Sequence, residues 1–285
     1  MSLATRLSLI ATGAFALATT NLFAGPEPIV DVGKDKNVVQ QAEPECNWYV
    51  SVGGGFDADY GGTDFVREHN IPSQFGIATL HVPSTSWNDA FDTPYRIEAE
   101  VGYALGQHVE LFGRFSYDAA DGQSTDAYLH IARVGLELEN KWDDYRSYGG
   151  EVGLRYLFLS RDHCIRPYIS LSGGATRVDS IGVTVRAANN VGNIHTGDVL
   201  FDGAFYGDST VATGTVLAGL EVRIARCFSI GADAGLRYQS RLTDDDNDLS
   251  RATLAGTVFP NLDKVNNNAG DRLYCPVTFY AKIRF

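Results

Sequence analysis

The chain has 285 residues and a net charge of −12, which argues against nucleic-acid binding, since that needs a basic face to meet phosphate. Of the aromatic residues, 14 are Tyr and 15 are Phe against only 3 Trp, and there are 30 Gly, a composition that points to β-structure. Only residues 1–24 offer a long apolar run, so a helical membrane protein is excluded. What remains is a single all-β domain, soluble or membrane-embedded.

The first 24 residues have the layout of a secretory signal peptide. Arg6 is the lone charge, Leu7–Thr20 is a short apolar core, and Ala24 precedes Gly25-Pro26-Glu27-Pro28. Cleavage is expected after Ala24, with Ala16-x-Ala18 as the competing site. Residues 25–47 are polar and aperiodic, and are expected to form a flexible periplasmic segment.

From Trp48 onward apolar residues recur at every second position, the period of a strand. The rhythm runs through 48–56, 94–103, 108–117, 148–160, 165–178, 210–224, 227–239 and 273–285. Each run is roughly ten residues, long enough for a tilted strand to cross a bilayer. The connections alternate strictly. Those at 104–107, 161–164 and 225–226 are short, whereas 57–93, 118–147, 179–209 and 240–271 are long. A soluble sandwich or lipocalin-like barrel has no reason for that alternation. A transmembrane barrel does, with short periplasmic turns and long extracellular loops. The fold class expected is therefore all-β: a closed antiparallel transmembrane barrel spanning 48–285, with eight strands. Alternation within 127–139 leaves ten as the alternative, if 75–82 supplies the tenth.

Three segments carry a resemblance: Trp48-Tyr-Val-Ser-Val-Gly-Gly-Gly-Phe56, Glu151-Val-Gly-Leu-Arg-Tyr156 and Thr278-Phe-Tyr-Ala-Lys-Ile-Arg-Phe285. With these the chain resembles the small outer-membrane β-barrel proteins of Gram-negative envelopes, the OmpA/OmpX/Opa-like class. The resemblance implies residence in the outer membrane and insertion by the barrel-assembly machinery. Phe279, Ile283 and Phe285 would form the assembly signal, although Tyr280 stands where that pattern often has Gly.

Carrying the alternation inward places Arg96, Glu98, Glu100, Glu110, Arg114, Glu151, Arg155, Arg166, Glu221, Arg223, Asp233, Arg237, Lys282 and Arg284 in the lumen. An eight-stranded barrel is just wide enough for side chains to fill it. Unpaired charges there would be costly, so a structural ion-pair network is expected. The long loops hold most of the net negative charge and are expected to be mobile and protease-accessible.

No catalytic, cofactor or metal motif emerges. The six His residues lack helical metal-site spacing, and no Gly-x-Ser-x-Gly occurs. Asp244-Asp-Asp-Asn-Asp248 departs from a calcium loop at Leu249 and Ala255. Four Cys suit an oxidising compartment. Cys164–Cys227 is the preferred bridge, at the limit of disulfide reach across two strands, and Cys275 faces lipid. The leading functional expectation is a non-enzymatic structural and surface-interaction protein. It would contact outer-membrane lipid, lipopolysaccharide and an unidentified surface ligand, and no nucleic acid. The alternatives are a narrow pore or transporter for small apolar compounds and, behind it, a lipid-modifying enzyme.

Overall fold

The computed structural model describes residues 47–62, 64–76, 78–131, 134–161, 163–242, 253–254, 257–258 and 270–285. The expected signal peptide, Cys46 and the Asp244–Asp248 run lie outside the described residues.

Eight strands close into an antiparallel barrel: β1 (Trp48–Gly62), β4 (Tyr95–Ala104), β5 (Val109–Ala120), β8 (Tyr145–Leu157), β9 (Ile165–Val178), β12 (Ser209–Ala225), β13 (Phe228–Gln239) and β16 (Arg272–Arg284). These are the eight segments whose period-2 pattern is visible in the sequence. The seam joins the two ends of the chain. β1 pairs with β16 over a long ladder, and Trp48 and Phe285 exchange both backbone hydrogen bonds, at 3.2 and 2.9 Å. No sheet edge is left open in the barrel.

Side chains alternate cleanly along each strand. Outward positions are apolar and exposed, among them Val52, Ile97, Phe115, Val152, Leu171 and Val216. Two aromatic belts bound this band. Near the short turns, Trp48 packs on Tyr103 at 5.0 Å and Tyr156 on Phe158 at 5.5 Å. Toward the long connections stand Tyr95 and Tyr117, 6.3 Å apart, with Tyr148 and Tyr238. The stretch from Tyr95 to Tyr103 spans about 26 Å along the strand, or about 20 Å of height at a tilt of about 40°.

Three of the four long connections depart from the expectation of mobile loops. They contribute the hairpins β2 (His69–Pro72) with β3 (Ala78–Val82), β6 (Ser124–Ile131) with β7 (Val134–Trp142), and β10 (Ile181–Ala187) with β11 (Val199–Tyr206). The hairpins join side by side into a six-stranded sheet in the order β11-β10-β7-β6-β3-β2. The alternation within 127–139 and 75–82 thus belongs to this cap, and the barrel has eight strands, not ten. A further two-residue pair, β14 (Thr253–Leu254) and β15 (Thr257–Val258), lies in the fourth connection.

The cap folds because each hairpin has one apolar face. Leu80, Val82, Ala127, Leu129, Leu136, Leu138, Val183 and Val185 point inward into a single core. At its base Phe65 is ringed by Trp87, Phe91, Trp142, Phe205 and Tyr206, with centroids 4.9–6.0 Å away. The one-turn helix α1 (Trp87–Ala90) is set by a capping box, in which Ser86 and Asp89 satisfy each other's backbone N–H. It seats Trp87 over the barrel mouth.

Leu129 is fully buried in the cap core. Leu129→Ala should cost about 2–5 kcal/mol of local stability. Limited proteolysis of the variant should cut within the cap hairpins while the eight barrel strands stay protected. Loss of the whole barrel at the same protease dose would contradict a cap that rests on its own core.

Candidate functional site: the charged lumen

The interior of the barrel is a set of paired charges. Among the described residues, eight acidic side chains are buried: Asp57, Glu98, Glu100, Glu110, Asp118, Glu151, Glu221 and Asp233. Eight basic ones are buried with them: Arg96, Arg114, Arg155, Arg166, Arg237, Arg272, Lys282 and Arg284. The numbers match, so these sixteen side chains carry no net formal charge between them.

The pairs stack in tiers. Nearest the short turns, Lys282 bridges Glu110 and Glu221 at 3.0 and 2.8 Å, and Arg284 bridges the same two carboxylates at 2.7 and 3.2 Å. Arg166, directly opposite Glu221 in the β9–β12 ladder, pairs with it as well. In the middle, Arg155 reaches Glu100 at 2.9 Å and Glu110 at 3.2 Å, so it ties the first tier to the second. Arg114 also holds Glu100 at 2.9 Å and lies 3.8 Å from Glu98. Glu151 accepts from Ser172 at 2.7 Å and Thr215 at 3.0 Å, and pairs with Arg237 Nε at 3.0 Å. Toward the cap, Arg96 is clamped between Asp57 and Asp118, each at 2.9 Å.

Aromatic rings fill the space that the charges leave. Arg155 lies over Tyr168 at 4.7 Å, Phe112 at 5.2 Å, and Tyr49 and Tyr280 at 6.0 Å, within cation–π range of all four. The Tyr49 hydroxyl donates to Glu100 at 2.9 Å, and that of Tyr168 donates to Asp233 at 2.7 Å. Tyrosines this size fit because glycine lies beneath them. A Cβ at Gly102 would sit 2.3 Å from the Tyr49 ring, and one at Gly231 would sit 2.4 Å from that of Tyr280. Tyr280, anomalous for the terminal strand the sequence resembles, is thus a lumen filler paired with a glycine across the ladder. At the mouth, Arg272 stacks on Tyr274, Trp87 and Tyr145 at 4.4, 5.2 and 5.7 Å, linking the lumen to the cap.

All of the expected lumen charges but Arg223 are buried inside the barrel. Arg223 is half-buried at the short-turn rim, where its Nη1 donates to the Arg161 carbonyl at 2.8 Å. Sequence reading missed Asp57, Asp118 and Arg272. The first two were assigned to acidic loops because strands β1 and β5 were ended too early; both strands keep their alternation past those points.

Phe279, Ile283 and Phe285, expected as the assembly signal, point outward and are exposed. The expected Cys164–Cys227 bridge is corrected: Cys164 is an exposed free thiol. Its carbonyl accepts from Arg223 N–H, whereas the Cys227 carbonyl accepts from Arg284 N–H on the far side of the next hairpin. The two turns are therefore about two strand widths apart, roughly 10 Å, beyond disulfide reach. Cys275 lies half-buried on the outward face of β16.

No family model and no curated protein matches the chain. Among solved structures it is similar to Neisserial surface protein A, with 11% identity and a TM-score of 0.39 over 84% of this chain and 97% of that one. It is also similar to the attachment invasion locus protein Ail of Yersinia pestis, with 12% identity and a TM-score of 0.37 over 84% and 97%. A third is the outer membrane protease OmpT of Escherichia coli, with 9% identity and a TM-score of 0.39 over 84% and 97%. The fold is a closed eight-stranded barrel, the architecture of the small outer-membrane proteins the sequence resembles. It stands on its own hydrogen-bonded ladders.

Removing Glu151 would leave Arg237 without its closest carboxylate. Glu151→Ala should destabilise the barrel by about 3–5 kcal/mol, read as a lower temperature for the gel-mobility shift on heating in detergent. The double variant Glu151→Ala/Arg237→Met should recover much of that loss, because it removes both members of the pair. An unchanged transition in the single variant would contradict the pairing.

Proposed function

We propose that this protein is a non-enzymatic, non-conducting anchor in a Gram-negative outer membrane, which displays a folded β-sheet cap for contacts at the cell surface. The observation that carries this reading is the filled lumen: among the described residues, eight buried acids stand against eight buried bases, with rings packed between them. A pore needs continuous water, and a transporter needs a site its cargo can enter; here the side chains that line the wall bond to one another across the lumen. The narrow-pore alternative would need this network to open.

The apolar outer band between two aromatic belts supports a membrane-spanning orientation. The short turns then face the periplasm and the cap faces outward. Export through a cleaved signal peptide and insertion by the barrel-assembly machinery fit the N-terminal segment and the outward Phe279, Ile283 and Phe285. Lipid and lipopolysaccharide surround the band, and the surface ligand would meet the cap.

In planar bilayers the purified wild type should give no sustained conductance of porin size. Stable open steps in the wild type would overturn the plugged-barrel reading. In cells, the protein should fractionate with outer membrane, and deletion of Phe285 should lower the assembled fraction several-fold. Normal assembly without Phe285 would count against the terminal signal.

A further inference from the structure

Among the described residues, the outward face of the barrel strands is uncharged except at one place. Among the described outward positions of the eight barrel strands, the only charged side chains are Arg146 on β8 and Arg177 on β9. Both are about half exposed, at 57% and 49%. Arg177 stands directly opposite Tyr148 in the β8–β9 ladder. Arg146 lies two residues before Tyr148 on the same face of β8. The three side chains form a triangle at the level of the outer aromatic belt, where hydrocarbon gives way to headgroups.

Charged residues are costly against hydrocarbon, and two guanidinium groups on adjacent strands at this height are complementary to an anionic headgroup. We propose that Arg146 and Arg177, flanking Tyr148, dock the phosphorylated headgroup of an outer-leaflet lipid. The proposal rests on the membrane-spanning reading above and names a partner for it.

Both arginines already have carboxylate neighbours. Arg146 Nη2 lies 3.3 Å from Asp144, and Arg177 Nη2 lies 2.8 Å from Asp208. Exposed pairs of this kind contribute about 0–1 kcal/mol, so they compete weakly with a phosphate. Each of these contacts uses one nitrogen of a guanidinium that has five N–H donors, leaving donors for a bidentate phosphate contact. Asp208 is itself held by the Ser180 N–H at 2.8 Å.

The surface beneath suits the rest of such a lipid. Below the arginines the outward positions are Gly150, Gly173, Ala175, Ala212 and Gly214, neighbours across the β8–β9–β12 ladders. A Cβ at Gly150 or Gly173 would meet only ordinary contacts, at 3.8 and 3.6 Å, and one at Gly214 would meet nothing within 4 Å. Internal packing does not require these glycines. They leave a smooth strip on which acyl chains can lie.

The test is native mass spectrometry of the detergent-solubilised full chain titrated with bisphosphorylated lipid A. Dephosphorylated lipid A and inorganic phosphate serve as separate arms. The wild type should retain bisphosphorylated lipid A, and Arg146→Gln/Arg177→Gln should bind it at least five-fold more weakly. Arg146→Lys/Arg177→Lys should fall between them, since it keeps the charge and loses the planar fork. Lys141→Gln, on the exposed face of the cap, should bind as the wild type does. The gel-mobility shift on heating confirms that each variant is folded. Equal retention by the wild type and the Gln double variant would overturn the proposal. Displacement of the lipid by millimolar inorganic phosphate would overturn it as well, because the site would then be one for a free anion. Insertion of both proteins into phosphatidylcholine vesicles is measured in parallel. Failure to insert sinks the membrane reading, whereas insertion with arginine-independent lipid retention sinks only the docking site.

Discussion

Everything in this structure depends on charge pairing inside a space too narrow for water to do the work. Eight strands enclose a lumen about as wide as its side chains are long, and half of the strand positions point into it. An isolated buried ion costs several kcal/mol after relaxation, so a carboxylate in this lumen is tolerable only beside a guanidinium or ammonium. Arg155 shows how tightly the pieces interlock. It binds Glu100 and Glu110 and lies within reach of four aromatic rings. The rings are possible only where the wall is glycine, as under Tyr49 at Gly102. Removing the pairing would leave the closed wall without a filling that its strands could tolerate.

The cap solves a different problem by different means. Above the outer belt the chain is no longer confined by the barrel, and its hairpins bury Leu, Val and aromatic side chains instead of ions. Arg272 stands at the junction, charged like the lumen below it and stacked on Trp87 and Tyr145 like the core above. The molecule thus passes from an ionic interior to an apolar one at one layer of side chains.

Much of the barrel was legible in the sequence because two rules reinforce each other there. A strand that separates lipid from lumen must alternate apolar with polar residues, and strands of a barrel recur at bilayer length. Glu98, Arg114 and Glu151 could be placed inside from the alternation alone. Which carboxylate meets which guanidinium could not, because Arg155 and Glu100 are joined by the closure of the barrel and not by neighbouring sequence. The cap was legible only as scattered alternation near Leu80, Leu129 and Leu136. Its strands pair with partners from other connections, as β7 does with β10, and a register set across such separations leaves no local trace. Asp57 and Asp118 were misplaced because each follows the last aromatic residue of its strand's apolar run, Phe56 or Tyr117, where the strand reads as finished until Arg96 is seen between the two carboxylates.

The equal count of buried acids and bases has a consequence for how such a chain can change over generations. A single substitution that reverses or deletes one lumen charge leaves an odd ion in the interior, whereas a matched change at its partner restores neutrality. Lumen positions such as Glu151 on β8 and Arg237 on β13 should therefore drift as couples, while the outward-facing residues that alternate with each of them along its own strand drift alone. Along any one strand, inheritance would alternate with the same period as the side chains.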